Sequence, residues 1–200
     1  EPSNLLLGRL FHEVLADLLS LDPVRSGLKL LAESGADTKR RADQLLDHTW
    51  ERLLAPRLRR NAAVLQSSSA QVLMLWKATQ NLTSWLASVV GELLEHSPGM
   101  RGGWEQLGQV LQAEVPLTCE LHEPGWTEPV RLGGFADSVL RVPGRESFCA
   151  VEVKLGRAAP VVDLGQAALY YLILARGTPS SNSALALMRF SPELEEHLIE

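Results

Sequence analysis

The spacing of hydrophobic positions changes about halfway along the chain. Up to about residue 100, apolar side chains recur every three or four positions, a period that indicates amphipathic helices. Serine, glycine and proline punctuate this half and mark where helices end. We therefore predict helices over residues 3–20, 24–34, 37–54 and 70–95.

The second half of the chain has the shorter apolar runs of β-strands. Strands are predicted over residues 109–120, 130–142, 147–155 and 184–190, with a turn at Pro143-Gly144. A helix is predicted over 163–175, between the third and fourth strands. A helical half followed by strands, a helix and a further strand predicts an α/β fold with helical additions.

Two charged side chains interrupt the third predicted strand. Glu152 and Lys154 lie two positions apart in Ala150-Val151-Glu152-Val153-Lys154, so both point to the same face of the sheet. A charge on a buried strand is costly unless it is paired or bound to a metal. For these two residues taken alone, a surface ion pair on a half-exposed strand is the simpler explanation.

Asp137 on the preceding strand extends this pattern. A two-residue turn would set Asp137 opposite Ala150, and a four-residue turn would set it opposite Glu152. Either turn places Asp137, Glu152 and Lys154 on one face, whereas a turn of odd length does not. Two carboxylates ~5–8 Å apart repel each other, and a divalent cation with oxygen ligands resolves that repulsion.

A polar stripe is predicted on the helix that follows. The spacing of Asp163, Gln166 and Tyr170 puts them along one side of that helix. Taken alone, Gln166 would be an exposed helix former and Tyr170 an amphipathic core residue. We expect the apolar side of the helix to face the sheet, through Leu164, Ala168, Leu172 and Ala175.

These residues belong to motifs that follow one another in a particular order. The motifs are Gly8 to His12, Gly134 to Asp137, Glu152-Val153-Lys154, and Gln166-x-x-x-Tyr170. This order resembles the RecB-like branch of the PD-(D/E)XK nuclease superfamily. That branch has a helix bearing His, a Gly-x-x-Asp strand, an (Asp/Glu)-x-Lys strand and a helix with Gln-x-x-x-Tyr. The resemblance covers residues 3–20 and 110–190.

The resemblance implies a fold and a metal site. The fold is a restriction-endonuclease-like core, a small mixed β-sheet flanked by helices, with residues 1–100 as an N-terminal helical subdomain of one nuclease domain. Asp137 and Glu152 would bind Mg²⁺ or Mn²⁺, helped by the Val153 carbonyl oxygen and by His12. Glu114 matches a further acidic position that often precedes the Asp strand in this branch.

The resemblance also implies an activity, the metal-dependent hydrolysis of DNA phosphodiester bonds in repair, recombination or antiphage defence. Lys154 would help to activate the attacking water, and Gln166 and Tyr170 would position the DNA strand or Lys154. Two alternatives remain at this point. One is a catalytically silent nuclease fold used for DNA binding or scaffolding, and the other is a helical interaction protein.

Charge and composition limit the partners. The formal net charge of −5 argues against non-specific coating of nucleic acid, so DNA would need a locally basic groove. Candidate cations for this groove are Arg9, Lys39 to Arg41 and Arg57 to Arg60. The sequence has no phosphate-binding loop of a helicase motor, so any ATP-driven unwinding requires a helicase or ATPase partner or a fused domain.

The cysteine content, the longest apolar run and residue 1 predict where the protein is located and whether the chain is part of a longer one. Two cysteines, Cys119 and Cys149, cannot hold an iron–sulfur cluster or a disulfide framework, and we expect a reducing, cytoplasmic environment. The longest apolar run, from Ala167 to Ala175, is far short of the ~20 residues that span a bilayer, so we expect no membrane partner. Because residue 1 is Glu and no leader sequence follows it, we expect a fragment of a longer protein.

Overall fold

The computed structural model of the chain describes residues 3–34, 37–97, 100, 103–122, 124–141, 147–156, 160–177 and 183–199. Helices account for most of the first hundred residues. In chain order they are α1 Ser3–Leu18, α2 Gly27–Glu33, α3 Thr38–His48, a π-helical turn Thr49–Leu54, α4 Ala55–Arg60, α5 Ala62–Leu65, α6 Ser69–His96 and α7 Trp104–Val110.

The second half forms a five-stranded mixed sheet. Its strands lie in sequence order across the sheet: β1 Leu111–Leu121, β2 Val130–Arg141, β3 Phe148–Lys154, β4 Ala184–Arg189 and β5 Glu195–Ile199. Only β3 and β4 are parallel, and α8 (Pro160–Gly177) connects them. The predicted α/β fold, a small mixed sheet flanked by helices, is therefore confirmed.

The two faces of the sheet have different covers. One face shares a large apolar core with the N-terminal helices, to which Val151, Val153 and Met188 contribute from the strands. The other face packs against α8, where Val139 and Ala150 lie in a smaller cluster with side chains of that helix. The N-terminal helices and the sheet are thus joined by a continuous hydrophobic core.

The β1–β2 ribbon rotates about its own axis near its middle. Ala113 packs with the N-terminal helices, whereas Leu117 further along β1 packs with α8. The change occurs at Glu114, which has a positive φ of 50° and lies between the paired positions Ala113↔Ser138 and Val115↔Ala136. The same register sets Glu114 opposite Asp137, and β2 pairs with β3 only beyond that point, over Ser138–Arg141.

Several boundaries differ from the prediction. The third helix does not end before Pro56, because a wider π-helical turn leads into α4, which holds Pro56 in its first turn. The first strand begins at Leu111, since Gln109 and Val110 complete α7. The predicted turn at Pro143-Gly144 lies outside the described residues.

The orientation predicted for α8 is wrong. Ala168 and Ala175 are exposed and Leu172 is half-buried, whereas the side chain of Leu164 lies outside the described set. The polar stripe itself turns inward, and Asp163 and Tyr170 are buried. Within the described residues, none of the helices has the length and apolar character that a bilayer crossing needs.

Candidate active site

The register of the β2–β3 pair determines which residue lies opposite Asp137. Ser138 pairs with Val151 and Arg141 with Phe148. Continued by one position, it sets Asp137 opposite Glu152 at the point where β2 leaves β3. There the Val153 amide donates a hydrogen bond of 2.7 Å to Asp137 Oδ2. This bond fixes the carboxylate of Asp137 at the end of β3.

Glu152 is a buried carboxylate with an incomplete set of partners. Its side chain is only 4% exposed, and Oε1 accepts hydrogen bonds from Lys154 Nζ at 2.7 Å and from Gln166 Nε2 at 2.6 Å. Oε2 is buried and has no hydrogen-bond partner among the described residues. Burial, with repulsion from Asp137 as a second cause, raises the pKa of Glu152 to about 7. Both effects oppose a negative charge on Glu152, whereas a bound cation would favour it.

The inward turn of α8 brings its amide side chain onto this carboxylate. Gln166 bridges two residues of β3, because its Oε1 accepts from Lys154 Nζ at 2.7 Å while its Nε2 donates to Glu152. Glu152, Lys154 and Gln166 thus form a closed triangle of hydrogen bonds. Such a triangle holds the ammonium group of Lys154 beside the carboxylate of Glu152.

Tyr170 lies one turn further along α8 and contacts the backbone of β2. Its hydroxyl donates a hydrogen bond of 2.7 Å to the carbonyl oxygen of Phe135. Burial raises the pKa of the Tyr170 phenol above its usual value. Tyr170 therefore fixes the strand that carries Asp137.

His12 reaches the site from the opposite side, on α1. Its Nδ1 lies 3.0 Å from Asp137 Oδ1. This hydrogen bond raises the pKa of His12 above its usual value, against the opposing effect of burial. Arg57 of α4 holds α1 in place through ion pairs with Glu13, which follows His12 directly, and with Asp17, one turn further along.

Glu114 lies opposite Asp137 in the β1–β2 register. It is exposed, and no contact between its carboxylate and those of Asp137 or Glu152 is described. More generally, the described residues contain no group of three or more His, Cys, Asp or Glu side chains that could hold a metal ion. The contacts described at Asp137 are pairwise: its Oδ1 with His12 Nδ1 and its Oδ2 with the Val153 amide.

Arg189 is a buried residue of this region that the sequence analysis missed. Its Nη2 donates to Asp163 Oδ2 at 2.6 Å, and both side chains are 8% exposed. Arg189 pairs with Lys154 across β3 and β4, while Asp163 lies one helical turn before Gln166. The ion pair therefore ties the first turn of α8 to the strand end beside the triangle. An arginine ending the apolar strand Ala184–Arg189 was the available signal.

Two of the cations predicted to line a DNA-binding groove instead stabilise the N-terminal helices. Arg41 is 6% exposed, and its Nε donates to the Ser34 carbonyl oxygen at 3.0 Å, so it is a buried structural residue. Arg57 is occupied by the acids of α1. The other predicted groove cations are exposed: Arg9, Lys39, Arg40, Arg59 and Arg60.

Comparison with known proteins adds an independent observation. A search of curated proteins gave no match. A family model described as the PD-(D/E)XK nuclease superfamily matches residues 1–198, which include every residue of the site described above. The chain therefore belongs to the PD-(D/E)XK nuclease superfamily.

Proposed function

We propose that this chain is a divalent-metal-dependent deoxyribonuclease of the RecB-like branch of its superfamily. The observation that carries the proposal is Oε2 of Glu152, which is buried near Asp137 and has no hydrogen-bond partner among the residues that the structure describes. A buried carboxylate oxygen without a donor is costly, and a cation at that atom would remove the cost. Membership of the superfamily supports nuclease activity, and the motif order supports the branch.

The residues present fit a hard divalent cation such as Mg²⁺ or Mn²⁺. The ligands would be the carboxylates of Asp137 and Glu152 and the Val153 carbonyl oxygen, since oxygen donors are what such ions prefer. His12 would either join them or hold Asp137 in place through Nδ1. When bound, the metal would supply a water of lowered pKa and would withdraw charge from the phosphate.

The protein's own side chains have separate tasks in this scheme. Lys154 carries a positive charge next to the carboxylates, where it would stabilise negative charge that builds up on phosphorus during hydrolysis. Gln166 keeps Lys154 and Glu152 in one fixed arrangement through its two hydrogen bonds. Tyr170 fixes the backbone of β2 just before Asp137. His12 orients the Asp137 carboxylate from the α1 side.

DNA binding requires local cations because the chain as a whole is acidic. Five exposed candidates are left after Arg41 and Arg57 are excluded: Arg9, Lys39, Arg40, Arg59 and Arg60. The continuous core between the N-terminal helices and the sheet supports treating both halves as one nuclease unit.

The test is incubation of the protein with labelled linear and circular DNA in Mg²⁺, Mn²⁺ or a chelator. We expect cleavage with either metal, none with the chelator, and none by an Asp137→Asn variant whose thermal unfolding matches wild type. Attack on circular DNA would indicate an endonuclease, and attack on linear DNA alone an exonuclease. DNA binding without cleavage under every metal condition would favour the catalytically silent module instead.

A further inference from the structure

Phe135 differs from the other phenylalanines of the chain. Phe11 and Phe190 are fully buried and Phe148 is 9% exposed, whereas Phe135 is 64% exposed. It lies two positions before Asp137, which corresponds to ~7 Å along a strand. The chain therefore presents a large uncovered aromatic ring on β2, two residues before the proposed catalytic carboxylate of Asp137.

The ring points away from α8, and its neighbours on that side are small. Ala136 is buried in the cluster with α8, so the alternation of the strand turns Phe135 to the opposite side. The residue opposite Phe135 on β1 is Pro116, which is itself exposed, and the preceding residue on the same side is Gly133. Little side-chain volume covers the ring.

The backbone that carries the ring is held firmly. The carbonyl oxygen of Phe135 accepts the Tyr170 hydroxyl at 2.7 Å. At Gly134, an added Cβ would lie 2.9 Å from Tyr170 Cε1, so the strand sits directly on the tyrosine ring. An exposed aromatic on a fixed backbone loses little conformational freedom when a flat ligand covers it.

We propose that Phe135 stacks on an unpaired base of the substrate next to the phosphate that is cleaved. This inference rests on the proposed nuclease function and specifies its substrate as single-stranded or locally unpaired DNA. Bases within a duplex are stacked on their neighbours and cannot offer a free face to Phe135. Stacking of an aromatic side chain on a base is tolerant of sequence, because every base has a π-face.

The test measures coupling between the ring and one nucleotide. A set of single-stranded oligonucleotides, each lacking one base at a different position, is bound to wild type, Phe135→Ala and Phe135→Trp in Ca²⁺ by fluorescence anisotropy. We expect one abasic position to weaken wild-type binding by about tenfold. The same abasic position should not weaken binding by Phe135→Ala. With Phe135→Trp, it should weaken binding as it does with wild type.

The matched control is Tyr171→Ala, which removes an exposed aromatic ring of α8 that lies outside the site. It should respond to the abasic positions as wild type does. Equal responses of wild type and Phe135→Ala at every position would overturn the stacking role.

Cleavage by wild type is measured on the intact oligonucleotide in Mg²⁺ to separate the two proposals. Cleavage without coupling would reject stacking and leave the nuclease function in place. Coupling without cleavage would support stacking and reject hydrolysis. Absence of DNA binding would reject both.

Discussion

The two faces of the sheet are built from different kinds of residue. The face beneath the N-terminal helices is a continuous apolar core in which Leu86, Val153 and Met188 are almost completely buried. The face beneath α8 is apolar at one end, around Val139, but at the other end it buries Glu152 among polar side chains. The first face stabilises the fold because apolar surface is removed from water. The second face stabilises it less, because charged side chains are buried there as well.

Stability and chemistry are therefore separated between the two faces of the sheet. A fully buried, well-packed leucine contributes ~2–5 kcal/mol to the free energy of unfolding, as judged from its replacement by alanine. A buried carboxylate with an unpartnered oxygen lowers stability, and it persists where a function needs it. Substitutions on the α8 face should therefore change cleavage more than folding. Substitutions in the core beneath the N-terminal helices should change folding more than cleavage.

Glu152→Gln should have the largest effect on cleavage. The amide has nearly the same shape but loses the charge that would hold the cation, so we expect cleavage to fall by more than ~10³-fold, beyond the usual loss for a single positioned donor. Because a buried charge is also removed, the free energy of unfolding should stay at or above the wild-type value. Single-turnover cleavage and urea unfolding measure the two quantities, and retained metal-dependent cleavage would mean that the active centre lies elsewhere.

Lys154→Ala should have the next largest effect. Its ammonium group lies 2.7 Å from Glu152 Oε1, where its charge matters most as negative charge develops on phosphorus. We expect the chemical rate to fall by ~10²–10³ while DNA affinity changes much less. Single-turnover rates beside a binding titration in Ca²⁺ check this, and an equal loss in affinity and rate would assign Lys154 to ground-state binding.

Arg189→Gln should lower the rate by ~10–100-fold, the range seen when a partner of a catalytic group is removed. It breaks the buried pair with Asp163 and so frees the α8 turn before Gln166. If Arg189 acts through Gln166, adding Gln166→Ala should cause little further loss, whereas independent effects would add. Arg189→Lys should recover part of the rate, and Arg176→Gln, an exposed cation of α8, is the control.

Tyr170→Phe should be milder. It removes one hydrogen bond to the Phe135 carbonyl oxygen, and a loss of ~1 kcal/mol corresponds to about fivefold in rate at most. The dependence on metal concentration should not change. Cleavage across a Mg²⁺ series would reveal a different role if Tyr170→Phe proved more damaging than Lys154→Ala.

Leu86→Ala should have the smallest effect on cleavage and a large one on folding. Its side chain, on α6, is fully buried in the core that the N-terminal helices share with the sheet, so we expect a loss of ~2–5 kcal/mol in unfolding free energy. The rate per folded molecule should equal that of wild type. A comparable fall in that rate, measured well below the unfolding midpoint, would erase the contrast between the two faces.

The sequence was sufficient for the strand side of the site. Glu152 and Lys154 at a spacing of two, and an even turn before them, correctly predicted a shared face with Asp137. Periodicity is short-range information, and a single antiparallel pair carries it directly into space. The register itself needed the structure, because both even turns satisfied the same pattern.

The sequence was not sufficient for the helix side. The usual rule sends the apolar side of a helix to the sheet, but the strand ends beneath α8 are themselves polar. Glu152, Lys154 and Arg189 therefore draw Gln166 and Asp163 inward. Whether a polar stripe faces water or a buried charge depends on its partner across the fold, which periodicity does not contain. The edge strand β5 was also missed, because the polar residues Glu195 to His197 lack the apolar pattern that predicts a strand.

The most direct test of the account is a calorimetric titration of the DNA-free protein with Mn²⁺. We expect wild type and Leu86→Ala to bind the ion with the same affinity, and Glu152→Gln to lose at least tenfold, in line with the ~10–100-fold lost when a metal site is perturbed even outside its ligands. Mn²⁺ binding by Glu152→Gln equal to wild type would contradict the assignment of the α8 face as the metal-dependent active site.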